Sequence, residues 1–310
     1  MPRYNKGLFI YNGNAGSDDL EAKLSQTLPI LTQEVKELSV LQTKSLEELK
    51  QVCSSRAREV DVLFILGGDG TIHECINSLA EMDNLPVIGI LPGGTCNDFS
   101  RILDIPQNME QAARAIIQGK EHTIDAGKTN AGYFLNFWGI GLVTQTSFNI
   151  DKDQKSKFGV LSYFISALKT MNQAEPFSFK LKVDEEEISG EAVMILVLNG
   201  QFIGTREIPI PSINLQDGKF DVLIVKNSNL TVFRELLMMG QPGAENRNFQ
   251  ELSHMQGQRI EIEANPSQDV DMDGEIKGEA PSSIEVLSNH FTFLGGGTNA
   301  LQLGGREEGQ

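Results

Sequence analysis

A strand, a glycine turn and a helix follow one another without a spacer at residues 60–82. The run Val60 to Leu66 is apolar except for Asp61, ends in Gly67-Gly68-Asp69-Gly70-Thr71, and leads straight into an amphipathic segment. An apolar run of this kind suits a strand covered on both faces, as in a parallel sheet with helical crossovers. Glycines at the junction permit positive φ and close approach of a ligand to the chain. The helix start offers N–H groups and a positive dipole end, both suited to phosphate oxygens. Thr71 is placed to cap that helix with Glu74 reciprocating, while Ile72, Ile76 and Leu79 face the sheet. A tight turn with no ligand has the same spacing. The junction fits neither the lysine-bearing phosphate loop nor the dinucleotide fingerprint.

The arrangement is repeated. A strand from Pro86 to Leu91 runs into Pro92-Gly93-Gly94-Thr95-Cys96-Asn97-Asp98. Two glycine loops at the carboxyl ends of neighbouring strands would build one crevice. Asp69 and Asp98 could then face the same phosphates, which makes sense only with a hard divalent cation between them, magnesium being the natural one. Solvated loop acids are the ordinary alternative for either residue alone.

Around these loops the first 125 or so residues alternate strand and helix signals. Strands are expected at Gly7–Tyr11 and Val35–Val40, and helices at Asp18–Leu31, from Ser45 with Glu48 as a capping box, at Thr71–Met82 and at Met109–Ile117. Beyond Asp125 strands dominate: 132–138, 177–183, 191–198, 220–225, 259–264 and 283–287, with helices only near 160–171 and 231–239. The fold class is therefore α/β: an open, mostly parallel sheet over 1–127, then a mainly antiparallel, β-sandwich-like domain over 128–310. The tail from Gly295 is glycine-rich and polar and reads as partly disordered.

A chain of 310 residues supports two ordinary cores. Its formal net charge of -16 excludes a broad nucleic-acid surface, and any contact with an anionic membrane needs a local patch. Cys53, Cys75 and Cys96 have neither metal spacing nor an even count and read as reduced thiols. The polar start does not read as a signal peptide, and the longest clean apolar run, Ala192 to Leu198, is far short of a membrane span.

The two loops resemble the catalytic domain of the diacylglycerol kinase family, including bacterial lipid kinases and, more distantly, sphingosine kinases. Gly67 to Thr71 alone is shared with NAD kinases and phosphofructokinases; Gly93 to Phe99, Gly-Gly-Thr-Cys-Asn-Asp-Phe, narrows the choice. The resemblance implies a two-domain, ATP-using kinase with the nucleotide in the cleft between domains. It places Asn12, Gly67, Gly68, Asp69, Gly70, Thr71, Gly93, Gly94, Thr95, Asn97 and Asp98 on the nucleotide side, with Asp69 catalytic as well. The family's first loop reads Asn-Pro-x-x-Gly. This chain has Gly13 in the proline position and keeps Gly16, so a looser loop is expected.

In the second domain, Asp273-Gly274-Glu275 looks like the family's Asp-Gly-Glu, in which the glutamate is the general base. Asp217-Gly218-Lys219-Phe220-Asp221 looks like the segment that holds a structural magnesium, which implies Asp217, Phe220 and Asp221 as its ligand positions. With Asp69, Asp98 and Asp125, the aspartate at the end of the first domain, these make the metal set. The segment Gly200 to Thr205 lacks the glycine cluster often found there.

The reaction implied is direct transfer from ATP with magnesium to a lipid hydroxyl, diacylglycerol giving phosphatidic acid as the leading case, with Glu275 accepting the proton. Phe134, Phe137, Trp138, Phe148, Phe158, Tyr163 and Phe164 supply core and, in one or two instances, a tail pocket; Lys152, Lys155 and Lys157 could meet anionic headgroups. His73 reads as structural. A soluble-substrate kinase resembling NAD kinases and a non-catalytic nucleotide-binding protein are the rival readings. The expected setting is cytoplasmic, with a peripheral station at the inner membrane face and a homodimer both left open.

Overall fold

The computed structural model describes residues 1–13, 20–144, 175–241, 243, 247 and 249–295, without the side chains of 230 and 233. The described chain forms two compact units. One holds Met1–Ile124 and the described residues from Asn289 onward; the other runs from Asp125 to Ser288.

The first unit has β1 (Tyr4–Asn12), β2 (Val35–Thr43), β3 (Val62–Gly67) and β4 (Val87–Pro92), all parallel in the order β2-β1-β3-β4. Its helices are α1 (Leu20–Leu31), α2 (Leu46–Arg56), α3 (Asp69–Leu79), α4 (Asp98–Ile102) and α5 (Met109–Gln118). Helix α1 packs against α5 and α2 against α3. Every residue of β3 is buried, as its unbroken apolar run requires, and α3 turns Ile72, Ile76 and Leu79 inward. Ser45 caps α2 by accepting the Glu48 N–H at 3.1 Å, while the Glu48 carboxylate takes the Lys44 N–H at 2.7 Å. Cys53 and Cys75 are free thiols whose Sγ atoms lie 3.5 Å apart in the core. Contact with Cys53, then burial, pushes the Cys75 thiol up.

The expected cap of α3 is corrected. The helix starts at Asp69 with Gly68 as its N-cap, a residue with no side chain to cap it. Thr71 lies over Gly67, where an added Cβ would come within 2.6 Å of the threonine Cβ. Glu74 is buried and pairs with Lys50 at 2.9 Å, holding α2 to α3 and raising the lysine pKa. His73 is also buried, with its ring against Asn77.

Strand β5 (Lys120–Thr129) carries the chain across the unit boundary and pairs with β6 (Gly132–Phe134). Then come β7 (Phe137–Gly141), β8 (Phe177–Val183), β9 (Glu186–Ala192), β10 (Met194–Leu198), the short β11 (Phe202–Ile203) and β12 (Arg206–Glu207), and β13 (Phe220–Val225). Helix α6 (Leu230–Met239) follows, then β14 (Leu252–Gly257), β15 (Arg259–Asn265), β16 (Asp269–Met272), β17 (Glu275–Glu279) and β18 (Ser282–Gly295). One antiparallel sheet has the order β14-β13-β10-β7-β16-β17; the other joins β9, β8, β15 and the start of β18. Between them lies a core with Trp138, Ile195, Val197, Phe220, Val222 and Ile262. The alternate residues Leu196, Leu198, Leu223 and Val225 pack with Ile208, Ile210, Val232 and Met239. Strands β10 and β13 are thus buried on both faces, which explains runs without alternation in an antiparallel sheet.

Two expectations change. The strand expected over 132–138 breaks at Leu135-Asn136. The last strand extends past Leu287, and its end belongs to the first unit, where Phe293 pairs with Ile88 of β4 and meets the Phe99 ring at 5.1 Å. The helix expected near 160–171, the aromatics 148, 158, 163 and 164, the lysines 152, 155 and 157, residues 14–19 and the tail past Gly295 lie outside the described residues.

Candidate active site

The two glycine turns of the first unit meet through their main chains. Gly93 N–H donates to the Gly67 carbonyl at 2.8 Å. A Cβ on Gly94 would fall 2.5 Å from the Gly68 Cα, and one on Gly68 would fall 3.0 Å from the Gly94 Cα. No side chain larger than hydrogen fits this approach without moving a backbone. Asn97 fixes the second turn. Its φ is 53°, its Oδ1 accepts the Gly94 N–H at 2.8 Å, and its Nδ2 donates to the Gly94 carbonyl at 3.0 Å and to Gln107 at 3.1 Å. Asn97 therefore shapes the loop through contacts with its main chain. Since Gly93 and Gly94 use their N–H groups internally, the first turn of α3 is the better anion cradle of the two.

Asp69 opens α3, and its Oδ1 receives the Phe99 N–H at 3.4 Å, a long bond that ties the first loop to α4. Asp98 opens α4 and is buried, whereas Gly94 and Thr95 are exposed. Asn12 ends β1. The next N–H, from Gly13, donates to the Thr43 carbonyl at 2.9 Å, a bond that a proline could not make. The glycine therefore ties the start of this loop to β2 where loosening was expected.

In the second unit the carboxylates hold main chain. Met272 pairs with Glu275 across the two-residue turn Asp273-Gly274, whose φ values are 56° and 91°. Positive φ at both positions is the demand that an Asp-Gly hairpin turn meets. Asp273 Oδ2 accepts the Leu135 N–H at 2.9 Å, and its Oδ1 accepts those of Asn136 at 2.8 Å and Phe137 at 3.0 Å. These three bonds explain the break between β6 and β7. Asp271, fully buried and unnoticed in the sequence, accepts the Gly274 N–H at 2.8 Å. Glu275, half-buried, is thus the first residue after a turn pinned on two sides.

The expected metal set is only partly brought together. Asp125 is buried and its Oδ2 accepts the Gly218 N–H at 2.7 Å, which sets it beside the Asp217 turn. Burial, aided by the Asp221 and Asp125 carboxylates, raises the Asp217 pKa against the lowering effect of the Lys219 N–H and charge. Asp221 is buried and bonded to protein groups. Its Oδ1 bonds Ser212 and lies 2.6 Å from His254 Nε2, and Gln256 donates to both oxygens at 3.3 Å. The closest of these contacts fall on Oδ1. The Phe220 side chain is core, so only its main chain could serve a cation. Among the described residues no group of three or more His, Cys, Asp or Glu side chains gathers as a metal site. Cation ligation at Asp217 and Asp125 would therefore need main-chain carbonyls and water, which suits magnesium.

Residues 6–129 match the family described as "Diacylglycerol kinase catalytic domain", and residues 143–295 match the "YegS C-terminal NAD kinase beta sandwich-like domain". Proteins named "Putative lipid kinase" from Staphylococcus aureus strains Mu3 and Newman are each 35% identical over 297 residues, covering 94% of this chain and 97% of theirs. A crystal structure titled as a putative diacylglycerol kinase from Bacillus anthracis superposes with a TM-score of 0.86 at 37% identity, over 95% of this chain and 98% of that one. A second from the same organism gives 0.83 at 34% identity, over 97% and 100%. No helix among the described residues is long and apolar enough to cross a membrane.

Proposed function

The chain belongs to the diacylglycerol kinase catalytic-domain family and is a kinase of that family, and we propose that it transfers the γ-phosphoryl group of ATP to the hydroxyl of a lipid alcohol, diacylglycerol foremost. One observation carries the donor half: the two glycine turns clasp each other beneath the uncapped N-terminus of α3. That surface of main-chain N–H groups and a dipole end suits a polyphosphate, with Asp69 and Asp98 as carboxylates for its cation. The names of the relatives support a lipid acceptor.

In this reading the bond from the γ-phosphorus to its bridging oxygen breaks as the bond to the acceptor oxygen forms, and Glu275 takes the acceptor proton. Asp273 and Asp271 hold the turn that presents Glu275. Magnesium, when bound on the donor side, would supply charge neutralisation to the phosphate oxygens. A second magnesium fits the hard oxygens of Asp217 and Asp125 as a support for the fold.

The test is label transfer from ATP to a panel of lipid alcohols in mixed micelles, with NAD as the soluble acceptor. Transfer to at least one lipid alcohol and none to NAD is expected. Transfer to NAD alone makes the protein a soluble-substrate kinase. Nucleotide binding with transfer to neither makes it a non-catalytic binder.

A further inference from the structure

Asn136 and Asn199 are buried, and each leaves its Oδ1 without a hydrogen-bond partner among the described residues. Their orientations are fixed. Asn199 Nδ2 donates to the carbonyls of Asp125 at 2.8 Å and Leu135 at 2.6 Å, and Asn136 Nδ2 donates to that of Phe202 at 2.6 Å. Turning either amide over would set oxygen against oxygen. A buried acceptor without a partner is a net cost to folding. Packing alone would favour leucine, which has nearly the shape of asparagine. What leucine cannot supply is the pair of N–H bonds to main-chain carbonyls.

Those bonds join the parts of the acceptor side. Asn199 N–H and Gly200 N–H both donate to the Asn136 carbonyl at 2.9 Å. The N–H groups of 135–137 in turn hold Asp273, and with it the turn that carries Glu275. The other carbonyl gripped by Asn199 is that of Asp125, whose carboxylate holds the Gly218 N–H next to Asp217. One side chain therefore ties the segment anchoring the Glu275 turn to the segment anchoring the Asp217 turn. The two segments are ten residues apart along the chain, and Asn199 adds a side-chain tie to the main-chain pairing of β5 with β6 that already runs between them.

We infer that Asn199, with Asn136 as its main-chain partner, is a positioning residue for phosphoryl transfer, setting where Glu275 meets the acceptor hydroxyl. The inference rests on the reading of Glu275 as the base. It goes beyond that reading by giving the reaction a dependence on a side chain that touches neither phosphate nor acceptor.

The experiment compares N199L with E235Q in the full chain. Glu235 is a buried clamp of similar kind, but its carboxylate accepts the N–H groups of Gln250, Glu251 and Leu252 at 2.8, 2.9 and 3.0 Å. N199L should lose about 10- to 100-fold in kcat for the lipid acceptor, the scale expected of a displaced catalytic group, with KM for ATP unchanged within about twofold. E235Q should lower the melting temperature at least as much and keep kcat within about twofold. N199L turnover within twofold of wild type overturns the inference, as does a kcat loss in E235Q that matches its loss of stability in the same proportion as in N199L. If N199L does not fold, N199S, small enough for water to reach the two carbonyls, takes its place with the same expected outcome. A wild type inactive on every lipid alcohol sinks the functional reading and this inference with it. An active wild type with an active N199L sinks the inference alone.

Discussion

The two units build their functional surfaces from opposite materials. In the first, glycines bring main chain to within hydrogen-bonding distance of main chain, and Asn97 and the Asp69 carboxylate fasten the loops. In the second, carboxylates and an amide do the holding: Asp273, Asp125 and Asn199 each bond N–H or carbonyl groups of distant segments, and Asp271 fixes the turn next to it. A surface of the first kind fails when an atom is added. One of the second kind fails when a donor or acceptor is removed. The difference matches the proposed chemistry. A polyphosphate is bound by many N–H groups that must come close, whereas one proton acceptor needs a single side chain held in a fixed place.

Asp69 breaks this pattern, because it is a side chain with a role on the main-chain side. D69A should reduce transfer to background while circular dichroism remains that of the wild type. D69N separates the two jobs of the carboxylate: it keeps an oxygen for the Phe99 N–H and removes the charge that serves a cation. Turnover of D69A near wild type in the micelle assay would return Asp69 to a purely local role in joining the loops.

Glu275 sharpens the comparison from the other side. E275Q keeps the size of the residue and much of its hydrogen bonding but cannot accept a proton. Turnover should fall by about 10²–10⁴, the usual worth of a general base, with ATP affinity close to wild type by calorimetry. Turnover within about threefold of wild type would remove Glu275 from the mechanism. Asp273 would then be a poor substitute, since both of its oxygens already hold main-chain N–H groups.

Much of the donor side was legible because its parts are contiguous. Strand, glycine turn and helix are all short-range signals, and residues 67–71 and 93–98 carry them within a few positions of one another. The error at Thr71 came from a generic capping rule that could not know the threonine was needed over Gly67. The acceptor side was legible only through the family resemblance. Asn136 and Asn199 act on residues 64 to 74 positions away, and no local pattern encodes such a bond. One signal was available: Asn199-Gly200 ends the apolar run of β10, where a buried polar residue must be there for a partner. The return of β18 to the first unit was hidden for the same reason. Phe291 and Phe293 look like any inward-facing pair until the sheet that receives them is known.

The smallest expected effect tests the acidic turn at Asp217. Its pKa is raised, chiefly by the partial desolvation of its carboxylate and further by the carboxylates of Asp221 and Asp125. The folded state therefore binds this proton more tightly than the unfolded chain. Without a cation, the stability contributed by the group is fully present below its unfolded pKa and is lost as pH rises through the folded one. At neutral pH the ionised carboxylate is a small liability in the metal-free protein, and a bound divalent cation would reverse the sign. Because Asp217 is exposed at its turn, solvent screening keeps both effects small. D217N should thus melt about 1–2 °C above wild type in EDTA at pH 7, with the gap closing as the pH is lowered toward 4. Millimolar magnesium should raise the melting temperature of the wild type and leave that of D217N unchanged. An intact magnesium shift in D217N would exclude Asp217 as a ligand. A magnesium shift absent from both proteins would leave Asp125 and Asp217 as a purely hydrogen-bonded link in which Gly218 N–H, with no metal, holds the turn.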